Sequence, residues 1–323
     1  MKKIFIIGGA GYVGTMLAEN LIKEYDVTVY DLFIYGDNFK NKKIKKVKGD
    51  VRDLKLLKQS INEHDVVIHL ACISNDPSFD LDPELGKSIN FDCFDDTVKI
   101  SKDSGIKHFI YASSSSVYGV KDFENVSENV DLEPLTDYSI FKAKCEEILL
   151  KYDDNKFITT ILRPATVCGF SYRQRFDLVV NILTNNAYNN NEILVFGGKQ
   201  LRPNININDM CDAYQTIITS QTDLVKGQIF NVGFENYSVE KLAQIVRSNI
   251  KNEVKITTKI SDDNRSYHIS SKKIKELLDF VPKHTIDEAV KDLLIAFDKN
   301  YFKDPVNNEM YFNIKRMNSI KLK

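Results

Sequence analysis

A glycine-rich turn near the N-terminus, in the stretch "IFIIGGAGYVGTMLAENL", leaves few folds open to this chain. Its glycines Gly8, Gly11 and Gly14 follow an apolar run that predicts a strand, and they open a stretch with the apolar spacing of a helix. In that context the glycines permit a tight turn and let a pyrophosphate approach the helix N-terminus. The sequence therefore predicts a dinucleotide-binding turn.

A carboxylate at the end of the second predicted strand indicates which dinucleotide is bound. Asp31 ends the segment "DVTVYD" and follows Gly11 at the distance of about 20 residues that this motif requires. A carboxylate there can accept hydrogen bonds from the adenosine ribose hydroxyls, and it would repel a 2′-phosphate. The next residues, "LFIYGDN", contain no arginine that could bind such a phosphate. We therefore expect NAD rather than NADP as the cofactor.

The first half of the chain alternates apolar runs with amphipathic stretches. The runs that predict strands are "KIFIIG", "DVTVYD", "DVVIHLA", "HFIYASS" and "FITTILRPATV". This alternation is typical of an α/β protein, a Rossmann doubly wound parallel sheet with helices on both faces. The pattern loosens after about residue 168, which favours a smaller C-terminal α+β substrate-binding region. We expect an NAD-binding domain at 1–168 and the substrate region at 169–323, with segments near 205–234 returning to the first domain.

Composition excludes several classes of partner. The net charge of −1 gives no electrostatic reason to expect binding to nucleic acid or to an anionic membrane. No apolar stretch reaches the ~18 residues of a transmembrane helix, and the N-terminal apolar run is shorter than the ~7–15 residues of a secretory signal. The five cysteines include no C-x-x-C pair, and the five histidines are scattered. We therefore expect a cytoplasmic protein with reduced, buried thiols and no metal site.

The glycine spacing and several later segments resemble the extended, nucleotide-sugar-modifying branch of the short-chain dehydrogenase/reductase superfamily. This branch is the NAD-dependent epimerase/dehydratase family, which includes the UDP-glucose 4-epimerases. The segment "GDVRD" matches its adenine-contacting turn, "HLAC" matches the strand end beside the cofactor, and "SINFD" carries its usual asparagine. The resemblance covers nearly the whole chain. It implies cofactor-binding roles for Gly8, Gly11, Tyr12, Val13, Gly14, Asp31, Asp50, Val51, Leu70, Ala71, Asn90, Tyr138 and Lys142.

The serine run in "YASSSSVYG" matches the family element that presents a catalytic hydroxyl three positions before the Val of Val-Tyr-Gly. That position is Ser114, and "DYSIFK" then supplies the catalytic pair Tyr138 and Lys142. The Tyr-x-x-x-Lys spacing occurs four times in this sequence, so the spacing alone decides nothing. This pair differs from the others because it follows the serine run and begins a strongly helical stretch. Residues four apart share one helix face, so both side chains can reach the same cavity.

The resemblance implies that Tyr138 takes the proton of a sugar hydroxyl during oxidation. A free tyrosine has a pKa of about 10, and lowering it by about 3 units requires about 4 kcal/mol in favour of the phenolate. The Lys142 ammonium and a positive nicotinamide ring in a partly dry cleft can supply that stabilisation. Ser114 would bind the reacting oxygen and help to pass the proton.

The second half carries the expected substrate contacts. Arg202 in "GGKQLRPNININD" and Arg265 in "DDNRSYHIS" match diphosphate-binding arginines, whose planar forks suit phosphate oxygens. Arg173 and Arg175 add positive charge in a predicted loop. Family members often have Asn where Thr166 stands, and Tyr in place of the following Cys168. The residues expected to bind a nucleotide-diphosphate sugar are Ser114, Ser115, Thr166, Arg175, Asn181, Arg202 and Arg265.

Several functions fit these residues. The first is an NAD-dependent nucleotide-sugar epimerase that transiently oxidises sugar C4. The second is a 4-dehydrogenase that releases the 4-keto sugar, because "ATVCGFSYRQRFDLVVN" also resembles GDP-heptose 4-dehydrogenases from bacterial surface-polysaccharide pathways. A 4,6-dehydratase ranks lower, since related dehydratases carry Asp-Glu where this chain has Ser115 and Ser116. Asp31 disfavours an NADP-dependent reductase, and the intact Tyr138 and Lys142 disfavour a non-catalytic NAD-binding scaffold.

The resemblance also implies a homodimer. Its seam would use the helices of "SINFDCFDDTVKISKDSG" and "DYSIFKAKCEEILLKY". The apolar residues that could face either this seam or the core are Cys93, Phe94, Val98, Ile148 and Leu149. The basic last residues, "YFNIKRMNSIKLK", match no predicted element.

Overall fold

The computed structural model describes residues 1–121, 123–260 and 268–322. Its strands are β1 (Lys3–Ile7), β2 (Asp26–Asp31), β3 (Lys45–Lys48), β4 (Val66–His69), β5 (His108–Ala112), β6 (Ile158–Pro164), β7 (Thr166–Cys168), β8 (Glu192–Phe196), β9 (Leu201–Asn206), β10 (Gln228–Val232), β11 (Glu235–Ser238) and β12 (Lys255–Lys259). Its α-helices are α1 (Tyr12–Leu21), α2 (Leu54–Ile61), α3 (Asp76–Phe79), α4 (Pro83–Lys87), α5 (Phe94–Asp103), α6 (Asp137–Leu150), α7 (Val179–Asn190), α8 (Ile207–Thr219), α9 (Thr222–Val225), α10 (Val239–Asn249), α11 (Lys272–Leu278), α12 (Ile286–Asp298) and α13 (Asn313–Ile320).

The central sheet has seven strands in the order β10-β6-β5-β4-β1-β2-β3, and every neighbouring pair is parallel. This arrangement confirms the predicted doubly wound α/β fold. The strand order reverses beside β1, which pairs with β2 on one side and with β4 on the other. In such sheets a crevice opens at this point, beyond the carboxyl ends of the strands.

The central strands are buried on both faces, which explains their nearly continuous apolar sequence. In β1, Ile4 and Ile6 belong to the core that packs under α1 and α8, whereas Phe5 and Ile7 belong to the core under α2, α5 and α6. Because successive side chains of a strand point to opposite faces of the sheet, the same strand contributes to both cores.

Most of the residues considered for a dimer seam lie in the protein's own core. Cys93, Phe94, Val98 and Leu149 are buried in the core under α5 and α6, and Ile148 packs against it while partly buried. Of the two alternatives, dimer seam or core, these side chains therefore belong to the core of the single chain, because α5 and α6 cover the sheet with their apolar faces.

The second half builds smaller sheets beside the central one. One has the order β11-β9-β7, and β12 pairs in parallel with β8. Helices α7, α10 and α12 share a separate apolar core with them. The chain returns to the central sheet through α8, which packs on α1, and through β10, which pairs with β6.

Two predicted elements are divided in the structure. The run "FITTILRPATV" forms β6 and then β7, which separate at Ala165, so that Thr166 begins a strand of the smaller sheet. The stretch "SINFDCFDDTVKISKDSG" begins as a π-helical turn at Ser88–Asp92 before α5 continues it. Both breaks lie beside the crevice, where departures from regular structure are common.

Candidate active site

A cavity of about 520 Å³ lies in the crevice at the carboxyl edge of the central sheet. Both halves of the chain contribute to its wall. The predicted site residues that line it are Gly8, Gly11, Tyr12, Val13, Gly14, Asp31, Asp50, Val51, Leu70, Ala71, Ser114, Ser115, Tyr138, Lys142, Thr166, Arg175 and Arg202. The structure thus brings together residues that are up to about 190 positions apart in the sequence. Arg265 lies outside the described residues.

The glycine turn has the shape that a pyrophosphate requires. Gly8 has a φ of +79°, and a Cβ there would lie 2.4 Å from the backbone nitrogen of Ala71. A Cβ on Gly14 would lie 2.6 Å from Gly9 Cα, so these two glycines are needed for close packing. A Cβ on Gly11 would meet nothing closer than 3.4 Å, and this residue precedes α1 without capping it through a side chain. The N-terminus of α1 is therefore left open to an anion from the cavity.

Asp31 is held firmly at the end of β2. Its Oδ2 accepts a hydrogen bond from the Ala10 backbone N–H at 3.0 Å, and its Oδ1 accepts one from Phe33 N–H at 2.7 Å. Burial raises the pKa of this carboxyl, while the two backbone hydrogen bonds act in the opposite direction. The carboxylate lines the cavity next to the glycine turn, which fits the predicted contact with the adenosine ribose.

The predicted adenine-contacting turn is braced by its own residues. The Asp50 carboxylate accepts hydrogen bonds from Arg52 Nη2 at 2.6 Å and from Arg52 Nε at 3.0 Å. The Tyr30 hydroxyl donates to the Asp50 carbonyl oxygen at 2.7 Å. Val51 is buried and presents an apolar surface to the cavity. Such a surface suits the face of a nucleotide base better than its polar edges.

The structure brings the three predicted catalytic residues together. Ser114 follows β5, and its Oγ accepts a hydrogen bond from Ser116 Oγ at 2.8 Å. Tyr138 and Lys142 lie one turn apart on α6, which begins with a capping box formed by Thr136 and the third residue of the helix. The Tyr138 phenol lies close enough to the Ser114 hydroxyl for this neighbour to lower its pKa. Lys142 is buried, and its Nζ donates to the Ala112 carbonyl oxygen at 2.6 Å.

The electrostatic surroundings of Tyr138 in the chain itself combine burial with charges of both signs. Burial raises the pKa of this phenol well above its ordinary value, and the nearby Asp76 raises it further. Arg175 and the Ser114 hydroxyl act to lower the pKa. The Lys142 ammonium donates to a carbonyl oxygen and lies 5.9 Å from the centre of the Tyr138 ring.

A buried polar network supports the catalytic residues from behind. Arg163 on β6 donates to the Glu146 carboxylate of α6 from Nη2 at 2.6 Å and from Nε at 3.0 Å. Ser113, next to Ser114, also donates to Glu146. Arg163 Nη1 donates to the Tyr118 hydroxyl at 2.8 Å, and that hydroxyl donates to Asn231 Oδ1 at 2.7 Å. The network ties α6, β6, β10 and the end of β5 into one rigid support.

On the substrate side, the predicted arginines occupy different environments. Arg175 is buried, and its Nε donates to Asp177 Oδ1 at 2.5 Å while Nη1 donates to Ser74 Oγ at 2.9 Å. Arg202 is partly exposed on β9 and lines the cavity. Thr166, also partly exposed, begins β7 on the same wall.

Among the predicted site residues that the structure describes, Asn90 and Asn181 do not line the cavity. The Asn90 amide accepts from Ile73 N–H at 2.8 Å and donates to the Ile73 carbonyl oxygen at 3.0 Å. Asn181 accepts from Gly169 N–H at 2.9 Å and donates to the Arg175 carbonyl oxygen at 2.9 Å. Both amides are buried, and their hydrogen bonds hold loops beside the cavity. Their expected contacts with cofactor and substrate stay predictions.

The sequence did not indicate that the C-terminal segment reaches the site. Asn313, the first residue of α13, accepts a hydrogen bond from the Tyr35 hydroxyl at 2.9 Å and donates to Ser74 Oγ at 3.0 Å. Met317 and Leu322 also line the cavity. The only available signal was the apolar spacing of Phe312 and Met317, which is too short a pattern to predict a docked helix.

Neither a membrane-spanning helix nor a cluster of potential metal ligands is found in the described part of the chain. Its helices are all too short or too polar to cross a membrane. Within the same residues, no group of three or more His, Cys, Asp or Glu side chains is placed to hold a metal ion.

Comparison with known proteins identifies the family. The profile of the NAD dependent epimerase/dehydratase family matches residues 4–233. The chain is 25% identical over 315 residues to a UDP-glucose 4-epimerase of Lactobacillus helveticus, covering 89% of this chain and 94% of the relative. It is 29% identical over 327 residues to a UDP-N-acetyl-alpha-D-glucosaminuronate decarboxylase of Bacillus cytotoxicus, covering 92% and 98%.

A solved structure shows the same fold. The UDP-glucuronic acid 4-epimerase of Bacillus cereus, in complex with UDP-glucuronic acid and NAD, superposes with a TM-score of 0.83 at 24% identity, covering 93% of this chain and 100% of that one. The glycine turn, Asp31 and the cavity between them fit the NAD that the family uses, which confirms the predicted cofactor. The chain belongs to the NAD-dependent epimerase/dehydratase family.

Proposed function

We propose that this protein is an NAD-dependent nucleotide-sugar 4-epimerase. The observation that carries the proposal is the meeting of Ser114, Tyr138 and Lys142 in one cavity with the glycine turn and Asp31. A hydroxyl pair beside a dinucleotide site is suited to move the proton of a sugar alcohol, while the dinucleotide, when bound, would accept and return the two electrons. Relatives named as 4-epimerases support the same assignment.

In this proposal each side chain has a separate task. NAD, when bound, supplies reversible two-electron oxidation and a positively charged ring. Tyr138 takes the proton of the C4 hydroxyl during oxidation and returns it to the C4 oxygen after the keto sugar has turned over, while Ser114 hydrogen-bonds the same oxygen. Lys142 is held in the cavity wall by its hydrogen bond to Ala112, and its charge favours the phenolate together with that positively charged ring. Arg202 and Arg265 remain the proposed contacts of the substrate diphosphate.

The residues beside Ser114 argue against dehydration. Elimination across C5 and C6 needs an additional acid and base, whereas the positions after the catalytic hydroxyl hold Ser115 and Ser116. Ser115 is buried in the cavity wall, and Ser116 is hydrogen-bonded to Ser114. A 4-dehydrogenase that releases the keto sugar uses the same three residues and is the second candidate, favoured by the resemblance of the segment 165–181 to GDP-heptose 4-dehydrogenases.

The remaining sequence-based expectations belong to this proposal. We propose a cytoplasmic homodimer that acts in the synthesis of surface-polysaccharide precursors. We also propose an NAD-binding domain at 1–168 and a nucleotide-sugar region at 169–323. The return of α8 and β10 to the central sheet supports the predicted overlap near 205–234.

A panel of UDP-, GDP-, CDP- and dTDP-sugars tests the proposal. Purified protein with NAD is mixed with each sugar, absorbance near the reduced-nicotinamide band is followed, and product stereochemistry is read by NMR. Transient reduction with inversion at C4 is expected for one sugar class. Stable reduction with a keto product would replace the epimerase by the dehydrogenase. No response to any sugar, together with NAD binding, would favour the scaffold function.

The Tyr138→Phe variant is the matched control for this panel. It keeps the ring and the helix but lacks the hydroxyl, so it separates proton transfer from sugar binding. A reduction signal of equal size in this variant would show that the signal does not come from the proposed site.

A further inference from the structure

Arg173 is a buried cation that has no role in the proposed sugar chemistry. It is 3% exposed, yet it lines the same cavity as the glycine turn. Its guanidinium lies over the Tyr35 ring, with Cζ 3.5 Å from the ring centre. One Nη donates to Asn313 Oδ1 at 2.7 Å, so the C-terminal helix holds the fork in place.

The guanidinium is incompletely satisfied. Arg173 Nε is buried without a hydrogen-bond partner, and among the described residues no carboxylate lies within 4.0 Å of this side chain. The nearby carboxylates are already engaged, since Asp31 binds two backbone N–H groups and Asp177 binds Arg175. A buried charge that lacks a direct partner is costly, and a site built this way indicates an anionic ligand.

The loop that carries Arg173 is fastened to the start of α1. Ser171 Oγ donates to the Tyr12 carbonyl oxygen at 2.8 Å, and the Tyr12 hydroxyl donates to the Gly169 carbonyl oxygen at 2.7 Å. Tyr12 is the first residue of α1 and directly follows Gly11. The loop therefore lies next to the glycine turn, and Arg173 and Gly11 line the same cavity.

We propose that Arg173 is a phosphate-binding residue of the cofactor cleft and that it holds the diphosphate of the dinucleotide at the N-terminus of α1. Tyr35 and Asn313 are its positioning residues. The second half of the chain thereby contributes to cofactor retention as well as to substrate binding. This inference concerns NAD and does not depend on which sugar reaction follows.

A 2′-phosphate is the other source of the same ligand chemistry. Arg173 lies near enough to Asp31 for each charge to influence the pKa of the other. The diphosphate is favoured because the Asp31 carboxylate repels a 2′-phosphate, and because the loop is anchored at the helix N-terminus that attracts the diphosphate.

Calorimetric titration of the protein with adenosine, ADP-ribose, NAD and NADP separates these outcomes. For Arg173→Met we expect the affinities for ADP-ribose and NAD to fall by about 10- to 100-fold, because charge-assisted hydrogen bonds are lost. Adenosine binding should change by less than about twofold, since adenosine carries no phosphate. Arg173→Lys keeps the charge but loses the planar guanidinium, so its affinities for ADP-ribose and NAD should lie between those of the wild type and Arg173→Met. Asn313→Leu should weaken ADP-ribose binding less than Arg173→Met does.

Arg247→Met on the exposed surface of α10 is the matched control and should bind all four ligands like the wild type. Melting temperatures identify any variant that fails to fold. If Arg173→Met does not fold, the comparison is made with Arg173→Lys instead. An equal loss of adenosine and ADP-ribose affinity would reduce Arg173 to a structural role. A loss confined to NADP would assign it to a 2′-phosphate, and unchanged affinities would overturn the proposal. Catalytic assays are not needed for any of these outcomes.

Discussion

Arg163 and Glu146 form a buried, bidentate ion pair directly behind the catalytic residues. The two side chains are 4% and 3% exposed, and Arg163 Nη2 lies 2.6 Å from Glu146 Oε2. Glu146 follows Lys142 by one turn of α6, while Arg163 lies on β6. The pair therefore fixes the helix that carries Tyr138 and Lys142 against the central sheet.

Breaking this pair should strongly destabilise the protein. Glu146→Gln leaves the Arg163 guanidinium buried without a counter-charge, which costs about 3–5 kcal/mol in the free energy of unfolding. Urea denaturation measures this loss. Lys99→Met, which removes the exposed Lys99–Asp103 pair of α5, is the control and should change stability little. Equal, small effects of the two variants would contradict the role assigned to the buried pair.

Tyr138→Phe should reduce turnover while NAD stays bound. General acid–base catalysis by a positioned side chain contributes about 10²- to 10⁴-fold, so the loss should fall in that range. Initial rates on the active sugar, with NAD affinity measured in parallel, check this expectation. Near-normal turnover would remove Tyr138 as the proton acceptor.

Asp31→Asn should weaken the preference for NAD. The substitution removes the negative charge that repels a 2′-phosphate, and its single amide oxygen can accept only one of the two hydrogen bonds that Asp31 accepts from Ala10 and Phe33. We expect the ratio of NADP affinity to NAD affinity to rise by at least about tenfold, equal to about 1.4 kcal/mol. Titration of both dinucleotides measures the ratio, and an unchanged ratio would assign the discrimination to another residue.

The pair of His284 and Asp209 should make stability depend on pH. A hydrogen bond from the His284 ring to the Asp209 carboxylate, at 2.8 Å, raises the pKa of the imidazole above its ordinary value. The protonated ring therefore stabilises the folded state fully below pH ~6.5, and this contribution is lost as the pH rises through the raised pKa.

His284→Gln tests this effect, because glutamine cannot carry the charge. The difference in unfolding free energy between wild type and variant should be larger at pH 5.5 than at pH 8.5. It should stay below about 1 kcal/mol, since the ring is partly exposed and solvent screens the pair. A difference that grows with pH would show that the charged imidazole does not stabilise the fold.

Local patterns determined much of this protein. The glycine turn, Asp31 and the alternating elements are set by backbone freedom and by side-chain periodicity, which are properties of neighbouring residues. The same periodicity predicted that Tyr138 and Lys142 share one face of a helix, and α6 places them so. The fold class and the main components of the site could therefore be predicted from the sequence.

Only the tertiary structure decided how distant groups use their hydrogen bonds. The amides of Asn90 and Asn181 form hydrogen bonds inside the protein, and Lys142 donates to the Ala112 carbonyl oxygen. The contact of Arg173 with Asn313 joins residues 140 positions apart. No local preference encodes such contacts, because each depends on which surfaces the packed helices and sheets bring together and on which polar groups burial forces to find a partner.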